Sequence, residues 1–257
     1  MSAPEAHARA RFVAGGGITR LVASSHAAPL KIAKVHQGND GAAQLCVMDS
    51  SPGIMAGDSY NLEFQLDADS RAEITTQGFA RVHPSAERPA GLRQQLAVAS
   101  GAHLSYVPQP MLLYSDAAIA VELNADIESG GSLFWSDIVC AGRVAHDEIW
   151  RFQSYAGRTL IRYGGEIAYC NRLRCEPARS DPGRLGAWES FTHWGTVGWF
   201  SDRITPSDVS AMHERLAELK SLRCGVSLAH RHGLIVSILG NHAWELQRAV
   251  ELIKVHT

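Results

Sequence analysis

Apolar and polar residues alternate through the first two thirds of the chain. Leu62, Phe64 and Leu66 are interleaved with Asn61, Glu63, Gln65 and Asp67, and Ile119, Val121 and Leu123 with Ala120, Glu122 and Asn124. A period of two sets one side of a strand against a core and leaves the other in water, which predicts half-buried strands at both places. A weak repeat accompanies them. Asp69-Ser-Arg-Ala-Glu-Ile74, Ser100-Gly-Ala-His-Leu104 and Ser129-Gly-Gly-Ser-Leu133 each follow an alternating strand, make a small polar turn and open the next strand. Ile74, Leu104 and Leu133 therefore lie 30 and 29 residues apart. Stacked β-hairpin units or a solenoid recur in this way, and so do the evenly spaced turns of an ordinary antiparallel protein. Asp49-Ser-Ser-Pro-Gly53, His83-Pro-Ser-Ala-Glu-Arg-Pro89 and Ser180-Asp-Pro-Gly183 supply turn-forming links, none long enough to require two domains.

The pattern changes near residue 205. Thr205-Pro-Ser-Asp208 offers an N-cap hydroxyl, a proline at the first helical position and an acid in the first turn, after which Val209, Met212, Leu216 and Leu219 recur at three and four. A helix is predicted from about Pro206 to Leu222. Leu234 to Leu239 reads as a strand, and Asn241 as the cap of a final helix in which Leu246, Val250 and Ile253 share a face. The expected architecture is mainly β, a single domain over residues 1–257, with a β body over about 9–200 and a helix-strand-helix appendage over about 205–257.

Composition narrows the function. With 24 Lys+Arg against 26 Asp+Glu over 257 residues the formal charge is −2, which argues against a nucleic-acid binder held by phosphate contacts. The five cysteines, Cys46, Cys140, Cys170, Cys175 and Cys224, contain no C-x-x-C pair, so neither a disulfide scaffold nor a zinc ribbon is suggested and the thiols are expected to be reduced. No stretch approaches the roughly 18 apolar residues of a membrane span, and Met1 to Arg11 has no apolar leader core. A cytoplasmic protein is expected.

Phosphate-loop, zinc-helix and nucleophile-elbow signatures are absent. Candidate chemistry rests instead on polar residues at places that should be buried. Asp58 ends the loop Ser51-Pro-Gly-Ile-Met-Ala-Gly-Asp58, where it can accept the loop's own amides or face a channel as an anionic ligand. Thr75, Thr76 and Gln77 follow one another in a predicted strand, so at least one points inward and needs a partner, although threonine is also a good strand former. Asp137 sits in the otherwise apolar run from Leu133 to Arg143. A carboxylate there needs a partner or a task, and Arg143 is the candidate partner. The twelve histidines are scattered; His83 precedes a proline, and only His230 and His232 have close ligand spacing, on one face if their segment is a strand. Such a pair needs further ligands for a stable site, so no tight metal site is expected.

Read in order, several segments resemble the urease accessory protein family UreD, also called UreH. They are Pro29-Leu-Lys31, Ala56-Gly-Asp58, Thr75-Thr-Gln77 with Arg81 and Val82, Arg93-Gln-Gln95, Pro108-Gln109, and Trp135-x-Asp137-Ile138-x-Cys140-x-Gly142-Arg143. The resemblance runs from about Arg9 to the end of the final helix. It implies a right-handed β-helical stack of short sheets with two helices in the C-terminal third. It also implies a non-catalytic chaperone that binds apo-urease and, with UreF and the GTPase UreG, helps deliver nickel, with no tightly bound cofactor and Ni2+ only in transit through an internal polar route. By position, Asp58, Thr75, Thr76, Gln77 and Asp137 match that route. A transit site must release its ion, and isolated oxygen ligands suit that better than a closed His/Cys cage.

Three departures from the family pattern are expected to matter. The loop Ser50-Ser-Pro-Gly-Ile-Met-Ala-Gly-Asp58 has fewer glycines than the usual form, Asn171 stands where a Glu is frequent, and the sequence ends at Thr257 without the usual Pro-Arg-Ile-Trp. The last bears on UreF docking more than on the fold. A rival reading is a β-helical carbohydrate-active enzyme with Asp58 and Asp137 as an acid/base pair across an open groove lined by Trp135, Trp150 or Tyr106, which requires carboxyl groups roughly 5–10 Å apart. A third is a simple β-rich binding module without a channel.

Overall fold

A computed structural model describes residues 5–85 and 88–254. Met1 to Pro4 of the polar start, Ala86 and Glu87 of the His83–Pro89 link, and the ending at Thr257 lie outside these residues. The described chain forms β1 (Glu5–Gly15), β2 (Ile18–Ala27), β3 (Leu30–Ile32), β4 (His36–Gln37), β5 (Ala43–Asp49), β6 (Ser59–Leu66), β7 (Arg71–Thr76), β8 (Ala80–Val82) and β9 (Ala90–Val98). It continues through β10 (His103–Val107), β11 (Met111–Leu113), β12 (Ala118–Ile127), β13 (Ser132–Cys140), β14 (Ser154–Tyr163), β15 (Glu166–Cys175) and β16 (His193–Phe200). Helix α1 (Pro206–Leu216), β17 (Arg223–Leu228), β18 (Gly233–Gly240) and helix α2 (Ala243–Lys254) complete it.

Two sheets enclose the core. One runs β15-β14-β12-β9-β6-β1-β2, and the other runs β17-β18-β16-β13-β10-β7-β5-β3, with β4, β8 and β11 attached to it. The chain crosses from one sheet to the other and back, so that β6, β9, β12 and β14 stack in parallel in the first while β7, β10 and β13 stack in parallel in the second. The result is a β-solenoid of about four turns, as the repeat suggested. Antiparallel strands finish its ends: β2 on β1, β15 on β14, and β16 to β18 beyond β13.

Registers correct the repeat in one respect. Leu133 does stack on Leu104, but Leu104 stacks on Ala72, and Ile74 stacks on Tyr106 and Trp135. The first interval is therefore 32 residues rather than 30, a slip of two that keeps every side chain on the same face. The turns stack as well. Asp69, Gly101 and Gly130 adopt φ of +59°, +72° and +83°, with the Asp69 amide donating to Ser100 O at 3.2 Å and the Gly101 amide to Gly130 O at 3.2 Å.

The helices cover the outer face of the second sheet, where Met212, Leu216, Leu246, Val250 and Ile253 pack on Phe134, Ile138, Val197 and Val236. Strand β13 is thus buried on both sides. The expected start of α1 is present: Thr205 donates its amide to Asp208 Oδ2 at 2.7 Å. Its end is earlier than the periodicity implied, because Leu219 and Leu222 reach the same apolar cluster from turns. Asn241 does not cap α2. Its Oδ1 accepts from the Thr192 amide at 3.1 Å, and the His242 carbonyl takes the first helical amide, that of Glu245, at 3.1 Å.

Candidate functional site

Strand β13 places Leu133, Trp135, Asp137 and Val139 on the inner face by alternation, opposite the inner faces of β9, β12 and β14. A cavity of about 400 Å³ opens between the sheets here. Its outer end lies among the loop after β5 and the turn after β7, with Asp49, Gln77, Gly78 and Arg81 exposed and Phe79 39% exposed. Its walls include Tyr60, Leu62, Thr76, Gln94 and Tyr106, and its inner end is Asp137. Asp137, Gln94, Pro108 and Val121 also border a second pocket of about 20 Å³, whose further walls include Trp135, Tyr155, Gly157 and Thr159.

Asp137 has no ion-pair partner among the described residues. The expected pairing with Arg143 is not made, because Arg143 Nε donates to Glu148 Oε2 at 2.7 Å, its NH2 pairs with Glu148 Oε1, and its guanidinium lies 4.2 Å over the Tyr114 ring. Asp137 Oδ2 instead accepts from the Tyr155 hydroxyl at 3.4 Å. Burial pushes the Asp137 pKa up to about 6, with the Tyr155 hydrogen bond opposing the rise. The surface it retains borders the cavity. Burial and the nearby Asp137 push Tyr155 well above its ordinary value, so it remains a donor.

The other candidates separate. Thr76 and Gln77 line the cavity, and Thr76 Oγ1 accepts the Gln109 amide at 2.9 Å. Thr75 falls on the opposite face of β7, beside Glu73, which pairs with Lys254 of α2 at 2.9 Å. Asp58 Oδ2 accepts the Met55 amide at 2.8 Å, which is the loop-capping role, and Asp58 is not among the cavity-lining residues. His230 and His232 lie in the turn between β17 and β18 rather than in a strand, and His232 packs on the Tyr163 ring at 4.7 Å. Asn171 is exposed on β15 opposite Thr159.

Three contributors were not singled out from the sequence. Asp49 at the outer end holds the Ser51 amide at 2.8 Å; Gln94 and Tyr155 complete the inner end. Gln94 carried a readable signal, since it interrupts the inward row Leu92, Leu96 and Val98 of β9. Among the described residues no group of three His, Cys, Asp or Glu side chains converges on a metal position. All five cysteines are free, and burial pushes Cys140 up to about 12 and Cys175 and Cys224 up to about 11. The cavity therefore offers dispersed oxygens rather than a converging set of ligands among the described residues. It does not bring Asp58 and Asp137 together as an acid/base pair, since Asp58 is not among its lining residues. Tyr106 and Trp135 are core residues, and Trp150 is packed among Phe152, Trp188 and Trp194.

Residues 4–255 match the family model described as UreD urease accessory protein. The chain belongs to that family. It is 32% identical to the urease accessory protein UreD of Acetivibrio thermocellus over 239 residues, covering 93% of this chain and 91% of that one. It is 28% identical to the UreD of Actinobacillus pleuropneumoniae serotype 3, covering 80% and 78%, and 24% identical to the urease accessory protein UreH of Helicobacter hepaticus, covering 85% and 84%. The altered glycine loop of this UreD-family chain turns at its glycines. Gly53 has φ +147° and its backbone lies so close to Arg81 O that a Cβ would collide with it, and Gly57 has φ +76°.

Proposed function

We propose that this chain is a non-catalytic scaffold of urease maturation that binds apo-urease and, with UreF and UreG, helps deliver nickel to it. Membership of the UreD family supports the role in urease maturation. The observation that carries the finer reading is the inter-sheet cavity ending on Asp137, a carboxylate that makes no ion pair among the described residues and accepts only from Tyr155. An ionised Asp137 attracts a divalent cation, while Thr76, Gln77 and Gln94 offer neutral oxygens on the way. Two carboxylates at opposite ends, Asp49 and Asp137, with scattered amides and hydroxyls between them, bind weakly enough to let the ion go. The cytoplasm is where this reading places the protein. Co-purification tests it: a tagged copy co-expressed with UreF and apo-urease is expected to elute with both at physiological salt, and elution of the chain alone contradicts the scaffold role.

A further inference from the structure

One side chain stands across the inner end of the cavity. Gln94, Pro108, Val121 and Asp137 form a neck between the chamber of about 400 Å³ and the pocket of about 20 Å³. A divalent ion with six waters needs on the order of 180 Å³ at the density of liquid water, so it fits the first space and not the second. Tyr155 takes up the room behind the neck. Its ring leans along β14 over Gly157, where an added Cβ would stand 2.9 Å from the hydroxyl and 3.0 Å from Cε1. Gly157 is itself the register partner of Val121 in the neck. The ring is held on one side by Trp194, edge-on with centroids 5.5 Å apart, and at its tip by the bond to Asp137 Oδ2, which at 3.4 Å is long for two oxygens. Thr159 lines the same small pocket, and its register partner Asn171 is exposed on the edge strand β15.

We infer that Tyr155 gates the passage past Asp137. The inference rests on the cation-route reading above. A cation arriving at Asp137 sheds most of its water and competes with the Tyr155 hydroxyl for the carboxylate. The ring then loses its tether and can leave Gly157, which opens the way towards Thr159. The glycine is what lets the ring lie flat in the closed position, because any side chain at 157 would occupy the same space.

The test follows Ni2+ entering apo-urease that has been assembled with the full chain and the other accessory proteins, measuring urease-bound nickel against time. Gly157→Ala removes no polar group and meets the Tyr155 ring first, and Tyr155→Phe keeps the ring and removes the bond at its tip. Both are expected to load nickel faster than wild type, by about threefold, the rate equivalent of losing a weak hydrogen bond; a merely damaged fold gives no acceleration. Asp137→Ala, run alongside, is expected to load more slowly. If Asp137→Ala is slow while both other variants load at the wild-type rate, the gate is overturned and the route stands. If Asp137→Ala loads like wild type, the route reading falls and the gate with it. Should Gly157→Ala fail to fold by thermal unfolding, Tyr155→Phe decides alone, and an unchanged rate overturns the gate.

Discussion

Tyr106 donates its hydroxyl to Gln94 Oε1 at 2.7 Å, joining β10 of one sheet to β9 of the other across the interior. Both side chains are buried, and burial pushes the tyrosine far enough above its ordinary value that it stays a donor. The same two residues line the cavity. A polar brace thus holds open a space that an all-apolar core would have closed by packing.

Removing the phenol oxygen leaves the Gln94 carbonyl buried and unpaired. Tyr106→Phe is expected to destabilise the fold by about 1–3 kcal/mol, read as a lower urea midpoint with unchanged slope. A midpoint equal to wild type contradicts the brace.

Asp137 gives stability a specific pH dependence. Its pKa rises from 3.8 in the unfolded chain to about 6 in the fold, burial being the first cause. Between about pH 4 and 6 the folded state keeps a proton that the unfolded state has released, so this group's contribution to stability falls as pH rises through that window. The titratable and charged groups around it are Tyr155, Tyr106 and Arg158. Asp137→Asn should lack the decline, so wild type loses stability relative to the variant between pH 4.5 and pH 7. Parallel urea midpoints across that range contradict the assignment. Cation loading has the opposite sign, and should weaken below about pH 6 as the carboxylate becomes protonated.

The stacked turns separate two glycines that are alike in backbone. Gly101 and Gly165 have φ of +72° and +83°, but a Cβ at Gly101 would run into Asp69 Oδ1, whereas nothing lies within 4 Å at Gly165. Gly165→Ala should cost about 1–2 kcal/mol for the left-handed backbone alone. Gly101→Ala should cost about 1 kcal/mol more than that, because the Asp69 carboxylate must also swing aside. Equal losses in urea unfolding contradict the stacking.

Arg143 is tied to Glu148 and Tyr114, away from the cavity chemistry. Arg143→Gln is expected to make the loop from Val144 to Glu148 more susceptible to limited proteolysis while leaving nickel transfer to urease unchanged. Loss of transfer in this variant contradicts the separation.

The sequence revealed most where one face of an element meets water. Strands β6 and β12 and helix α2 announce themselves by periodicity, because their outer faces are polar. Strand β13 does not alternate, since the core lies on one side and the helices on the other, and for that reason Asp137 stood out in it. The cavity was less legible. Asp137 and Tyr155 are 18 residues apart and meet only because β13 and β14 lie in different sheets of the solenoid. Which of Thr75 and Thr76 faces inward depended on the register of β7. Asp58 was readable as a loop cap or as a ligand, and only the position of the Met55 amide distinguishes the two.

Nickel content of urease purified from cells carrying Asp137→Ala tests the central claim most directly. The variant chain is expected to fold and to co-purify with urease, while the urease it matures holds several-fold less nickel and is correspondingly less active. Urease with the wild-type complement of nickel, obtained alongside an intact complex, would contradict the passage of the cation by Asp137.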